Sequence, residues 1–377
     1  MKERTVVTMN AIAPGATLPI RLLTAAVLFI LLFALIDFGA IAGRERNPVL
    51  EEGGGHHWID QRSGTSARFR GVCAVNSNVV WASGANGTYA LTTDGGKTWK
   101  SAVVPGAEAL DFRDVEAFSS NVAYLMSIGS GETSRVYKTE DGGQHWRLQL
   151  TNRNSRAFYD SIAFWDAANG LVISDPVDSR FIMLRTTDGG ASWNEIAKEK
   201  IPPAVAGEAC FAASGTCLTV GGLKNAWFAS GGGAARVFRS TDRGDSWSVV
   251  TTPVLSDGDS SGIFSIAFRD AMNGLIVGGD YKKEGEARLN VARTTDGGRS
   301  WVTVQGLTGY RSCVAYLPGK RGEVIAVGPS GTDYSTDDGM SWRRMSDDGF
   351  HSVSFAKIGA GFGVGEKGRV AAFASDR

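Results

Sequence analysis

Histidine and cysteine are scarce in this 377-residue chain, four of each, and proline contributes only ten residues. So few histidines, none at ligand spacing, give no motif for a metal centre. Four cysteines without a Cys-x-x-Cys pair argue against a disulfide-dense scaffold and against a dithiol redox enzyme. Charge of one sign is also missing: 39 Lys and Arg balance 39 Asp and Glu for a formal net charge of zero. No basic field of the kind that holds nucleic acid follows from that balance, so no nucleic-acid partner is expected. Long helical periodicity is absent, which leaves an all-β class. Only one long apolar run occurs, Leu22 to Ile36, preceded by Lys2, Arg4 and Arg21 and followed by Ala40-Ile41-Ala42. A positive stretch, a run of about 15 apolar residues and a small-residue site describe an export signal, and the run is short for a stable membrane span. The expectation is therefore a signal peptide or membrane anchor at 1–42 and a linker at 43–57. The body of the protein would then be periplasmic or extracellular, with the N-terminal segment as its route to membrane contact.

What the chain has in quantity is glycine, 49 residues, and much of it falls in one recurring phrase. TTDGGKTW (Thr92 to Trp99), TEDGGQHW, TTDGGASW, STDRGDSW, TTDGGRSW and STDDGMSW (Ser335 to Trp342) share the pattern S/T-x-D-x-G-x-x-W. Their aspartates are Asp94, Asp141, Asp188, Asp242, Asp296 and Asp337; their tryptophans are Trp99, Trp146, Trp193, Trp247, Trp301 and Trp342. The tryptophans lie 47, 47, 54, 54 and 41 residues apart, close to the roughly 40–50 residues of a four-stranded propeller blade. Alternating apolar stretches flank each copy, which sets it at a tight hairpin. The glycine supplies a positive φ, the Ser or Thr and the Asp bond backbone groups of the turn, and the Trp covers the hairpin. Six equivalent aspartates spread around a ring cannot converge on one substrate, so these residues are read as structural.

The phrase matches the Asp-box, or BNR repeat, of sialidases, sortilin-type receptors and the photosystem II stability/assembly factor family. Two longer stretches, Tyr159 to Trp193 and Ala212 to Trp247, resemble bacterial members of the assembly-factor-like group. The resemblance runs over about residues 58–375 and implies a non-catalytic scaffold for a protein partner or a maturing membrane complex. It brings no cofactor.

Segments ahead of each repeat align as innermost strands at 71–75, 114–118, 160–164, 209–213, 264–268 and 312–316, with a seventh copy from His351 to Phe373 that has no box and no outer strand. Trp58-Ile59-Asp60 supplies that missing strand, closing a seven-bladed β-propeller over 58–377 and removing its free edges. His56-His57 falls in the linker. Cys210 and Cys217 flank six residues. This spacing could set them across the first hairpin of blade four, as a disulfide or as two small buried thiols. Cys73 and Cys313 fall on separate blades and read as core residues.

The residue ahead of each innermost strand is expected at one mouth of the channel: Arg70, Arg113, Tyr159, Glu208, Ile263, Arg311 and Phe350. Loops joining the second and third strands add Asp175, Asp178 and Arg180 in blade three and Asp280 and Tyr281 in blade five. Arginine forks suit carboxylates or phosphates, and tyrosine adds an amphipathic anchor. The expected role is binding of a protein or membrane-complex partner by an exported scaffold. The rival is a glycoside hydrolase of sialidase or xyloglucanase type, which needs two carboxyl groups roughly 5–9.5 Å apart. Asp160, Asp175, Asp178, Glu208 and Asp280 are its candidates, but the Arg-Ile-Pro motif of sialidases is absent. Gly363-x-Gly365-x-x-Gly368 fits a dinucleotide fingerprint by letter only, since no helix follows it.

Overall fold

Residues 55–357 and 360–375 are described by a computed structural model, and they contain strands and three short 3-10 turns. The expected leader lies outside the described residues, as does most of the linker. Among the described residues no helix is long and apolar enough to cross a membrane.

The chain forms seven antiparallel blades around a ring. Their innermost strands are Phe69–Ala74, Phe112–Ala117, Tyr159–Phe164, Leu218–Gly221, Ser261–Phe268, Cys313–Tyr316 and Ser352–Phe355, each packed on the next, with the last returning to the first. Six of the seven fall where the repeats predict. The fourth does not: 209–213 is not its innermost strand, which starts at Leu218, while Glu208–Ala209 pairs with Gly231–Gly232 and so extends the sheet of blade five.

Closure follows the expected route. Strand His56–Arg62 pairs antiparallel with Arg369–Ser375, with Trp58 opposite Phe373, so the two ends of the described chain share the seventh blade. The strand begins two residues earlier than read from the sequence. His56 is therefore part of the clasp and not of a linker, with its ring bonded to Ser375 Oγ at 2.7 Å and Tyr334 Oη at 2.8 Å.

Burial is organised by seams between blades. Seven apolar clusters each draw on two neighbouring blades. The repeat tryptophans occupy six of these seams, Trp146 against Trp81 and Tyr89 for example, and Trp58 of the clasp strand occupies the seventh. Each tryptophan thus joins its blade to the one before, and does more than cover its own hairpin.

The repeated turn is internally satisfied. Thr92 Oγ1 accepts the Gly96 N–H at 2.9 Å and donates to Asp94 Oδ1; Asp94 in turn accepts the Thr98 N–H at 2.9 Å and the Thr98 hydroxyl at 2.6 Å. The same network recurs at all six copies, with the His145 ring in place of the last hydroxyl at the second. Hydrogen bonds from Thr98 hold the Asp94 carboxyl down at about 2. Gly143 shows why glycine is required: its φ is +84° and a Cβ would lie 2.5 Å from Tyr89 Oη, which donates to the Gly143 carbonyl across the seam.

Candidate functional site

The segment between Ala209 and Leu218 enters the central channel and plugs it. Small side chains and a glycine let it fit: Gly215 has φ +72°, and a Cβ there would meet Asp114 Oδ1 at 2.3 Å. Hydroxyls from the surrounding innermost strands satisfy its backbone. Ser161 Oγ donates to Gly215 O at 2.8 Å, Ser352 Oγ to Ser214 O at 3.2 Å, and the Ile266 N–H to Thr216 O at 2.9 Å. Ser214 Oγ donates to Ser312 O at 2.7 Å, and Arg113 Nη1 to Ala212 O at 3.0 Å. Blades two, three, five, six and seven therefore all hold the plug. Asp114 anchors its surroundings by accepting the Ile162 N–H at 2.8 Å and lies 2.9 Å from Ser161 Oγ, while burial pushes its carboxyl up to about 7.

Above the plug, the mouth becomes a blind pocket of about 700 Å³. One wall is aromatic. Phe211 of the plug stacks on Phe264 with centroids 4.0 Å apart and planes 5° off parallel, and Tyr310 and Tyr281 meet Phe264 edge-on. The opposite wall is cationic. Arg70 lines the pocket with its Nε buried and unbonded and with no ion pair among the described residues. Burial, with Arg113 and Arg68 beside it, lowers its pKa to about 10, so it stays charged at neutral pH. Arg113 is partly committed, its Nε bonded to Asp111 at 2.9 Å. His351 bonds Glu366 at 2.7 Å through Nε2 and leaves Nδ1 buried without a partner; desolvation first, and the charge of Arg70 second, hold it down at about 4.

Four carboxyls line the pocket, Glu284, the His351 partner Glu366, Asp160 and Asp175. Asp160 is 1% exposed and its Oδ2 has no hydrogen-bond partner; burial and the neighbouring Asp175 raise it well above the carboxylate range. Asp175 accepts the Cys210 N–H at 2.8 Å and is raised by burial to about 6.

Of the residues expected at the mouth, Arg70, Arg113, Asp175 and Tyr281 meet in this pocket. The others lie elsewhere. Tyr159 is buried in the seam between blades two and three. Glu208 is locked to Arg236 and Ser230. Arg311 is fully buried and paired with Asp333. Asp178 forks with Arg156 on the outer surface at 2.7 Å, Arg180 is half-buried on its strand, and Asp280 caps its own loop by accepting the Lys282 N–H.

The misplacements at the strand entrances share one cause. The innermost strands of blades one, two, three and five each carry an irregularity that leaves out of register the residue now facing the mouth: Arg70, Arg113, Asp160 and Phe264. An extra residue of this kind re-aims one side chain, and a one-residue slip exchanges the faces of a strand. Counting one residue early gave Tyr159 for Asp160, Ile263 for Phe264 and Phe350 for His351. The residues that sequence reasoning missed, Phe211, Phe264, Tyr310 and His351, are neighbours of ones it named or belong to the plug.

No protein-family model and no curated protein sequence matches the chain. Among solved structures it is similar to YCF48 bound to a D1 peptide, with TM-score 0.61 and 19% identity over 85% of this chain and 97% of that one. YCF48 from Cyanidioschyzon merolae follows at TM-score 0.59 and 18% identity, covering 84% and 98%. A streptogramin B lyase matches at TM-score 0.59 and 13% identity, covering 85% and 98%. At such identities the likeness is one of fold.

Proposed function

We propose that this protein is a non-catalytic scaffold that holds a segment of a partner protein at the plugged mouth, in the manner of a photosystem II assembly factor. The single observation behind this reading is Arg70: a largely buried guanidinium, without an ion pair, facing an aromatic wall in a blind pocket. Such a fork suits a carboxylate presented by a partner. The similar YCF48 propeller is one that binds a D1 peptide, which makes a protein segment the natural occupant. The apolar run and small-residue site ahead of residue 43 add export, with the partner met at or beyond a membrane.

Capture of partners from membrane extracts, comparing the wild type with Arg70→Ala and Phe264→Ala, tests the proposal. Loss of one reproducible partner in both variants, with melting unchanged for Arg70→Ala, is expected. An ionic hydrogen bond worth about 1.5–3 kcal/mol corresponds to a loss of roughly 10- to 150-fold in affinity. Capture that persists in both variants overturns it. Asp160 and Asp175 are a carboxyl pair in the pocket, and this favours a glycoside hydrolase as the second reading. Turnover of a sialoside or glucan by the wild type, abolished in Asp160→Asn, would replace the scaffold reading.

A further inference from the structure

The two ends of the plug carry thiols. Cys210 lines the mouth pocket, and Cys217 lies at the start of the fourth innermost strand, where its carbonyl accepts the Ala229 N–H at 2.9 Å. Both side chains are buried in the seam between blades three and four, 4% and 0% exposed, as members of one apolar cluster in which each thiol bears on the other. In the structure both are free thiols. Between them run only Phe211, three small residues, Gly215 and Thr216, and the plug depends on its bonds to other blades. We propose that Cys210 and Cys217 form an intrachain disulfide that staples the plug in the channel and fixes the floor of the mouth pocket.

The reaction is thiol–disulfide exchange with a small-molecule or protein disulfide as oxidant. The Cys210 thiolate attacks one sulfur of the donor, whose S–S bond breaks to release a first thiol. The Cys217 thiolate then attacks Cys210 Sγ in the mixed disulfide and releases a second. The chain loses two protons and two electrons, and the donor gains both as two thiols. Burial, Cys217 and Asp160 keep the Cys210 thiol protonated in the folded state, so exchange belongs to the folding chain, before the plug docks. Cys73 and Cys313 stand on blades one and six of the finished fold, and in the folding chain the six-residue loop between Cys210 and Cys217 closes at lower entropic cost than any loop to them.

The test is to refold the full chain from urea in a buffer of oxidised and reduced glutathione, quench it in acid, unfold it again in urea with an excess of alkylating agent and no reductant, and map tryptic peptides. No Lys or Arg lies between Lys200 and Lys224, so both cysteines fall in one peptide. That peptide is expected to be lighter by two hydrogens and to take up label only after reduction. Cys73 and Cys313 are expected to be alkylated at once. A natively folded product whose 201–224 peptide takes two labels, or carries glutathione, overturns the proposal. A Cys73→Ser, Cys313→Ser chain must still form the bridge, and hydrogen exchange at 211–216 must be slower bridged than reduced. Exchange that is identical in the two states refutes the staple. The outcome does not depend on what occupies the mouth.

Discussion

Arg311 offers the sharpest check on how burial separates structural from functional arginines. Its Nε donates to Asp333 Oδ2 at 2.8 Å, Nη1 to Tyr310 O at 2.8 Å, and Nη2 to Thr308 Oγ1 at 2.6 Å, with both charged side chains fully buried. Arg311→Met removes the cation and leaves the Asp333 carboxylate with only the Thr308 N–H and hydroxyl. Breaking a buried pair from one side costs about 3–5 kcal/mol, because the remaining charge is uncompensated. Unfolding entropy of about 2.1 cal/mol/K per residue over about 320 residues converts this to a fall of about 5–7 °C in Tm. Replacing both partners, Arg311→Met with Asp333→Leu, removes the stranded charge, and most of the loss should return. Calorimetry on the three proteins measures this, and partner capture by the folded fraction should not change. An unaltered Tm in Arg311→Met together with lost capture would return Arg311 to the binding surface and refute the reasoning.

Removing the clasp strand through Arg62 withdraws its ladder with Arg369–Ser375 and takes Trp58 from the seventh seam; a sharp fall in Tm and edge-to-edge aggregation are expected by calorimetry and light scattering. Asp175 is raised from 3.8 to about 6 by burial. Its contribution to stability is therefore fully present below pH about 4 and is lost as pH rises through about 6, by up to about 3 kcal/mol. Urea unfolding at pH 4 and pH 7.5 should show Asp175→Asn gaining on the wild type across that window; parallel profiles would refute the assignment.

The architecture was legible because it repeats. A turn that satisfies its own carboxylate needs the same four residue types wherever it occurs, and the seam tryptophan recurs with it. The clasp was legible because a seventh copy without an outer strand demands one. The plug was not, since its backbone is satisfied by Ser161, Ile266 and Ser352 on distant blades, and no local pattern announces such partners. The third tryptophan interval is 54 residues where the first two are 47, but the fourth is 54 as well and holds no plug, so length alone did not mark it. The surplus in the third, read as an ordinary blade, is consumed by the detour through the channel.

Arg311 corresponds in register to the buried Phe69 and not to Arg70, each standing three residues before the paired Val314 or Val72, and its fate turns on one position of the third strand. Two residues ahead of the repeated turn stand Ala90, Tyr137, Leu184, Phe238, Ala292 and Asp333 in blades one to six. Ala90 pairs with Ala82 in blade one as Asp333 does with Ala326 in blade six, so the two sites are equivalent in register. Five apolar residues and one aspartate at a core position mark Asp333 as a charge that must be paired, and Arg311 of the same blade pairs with it. Blade one has Phe69 in the equivalent place and Ala90 packed in the same apolar cluster, so nothing there is charged. Arg70, one residue on, lies at the strand's irregularity and faces the mouth instead.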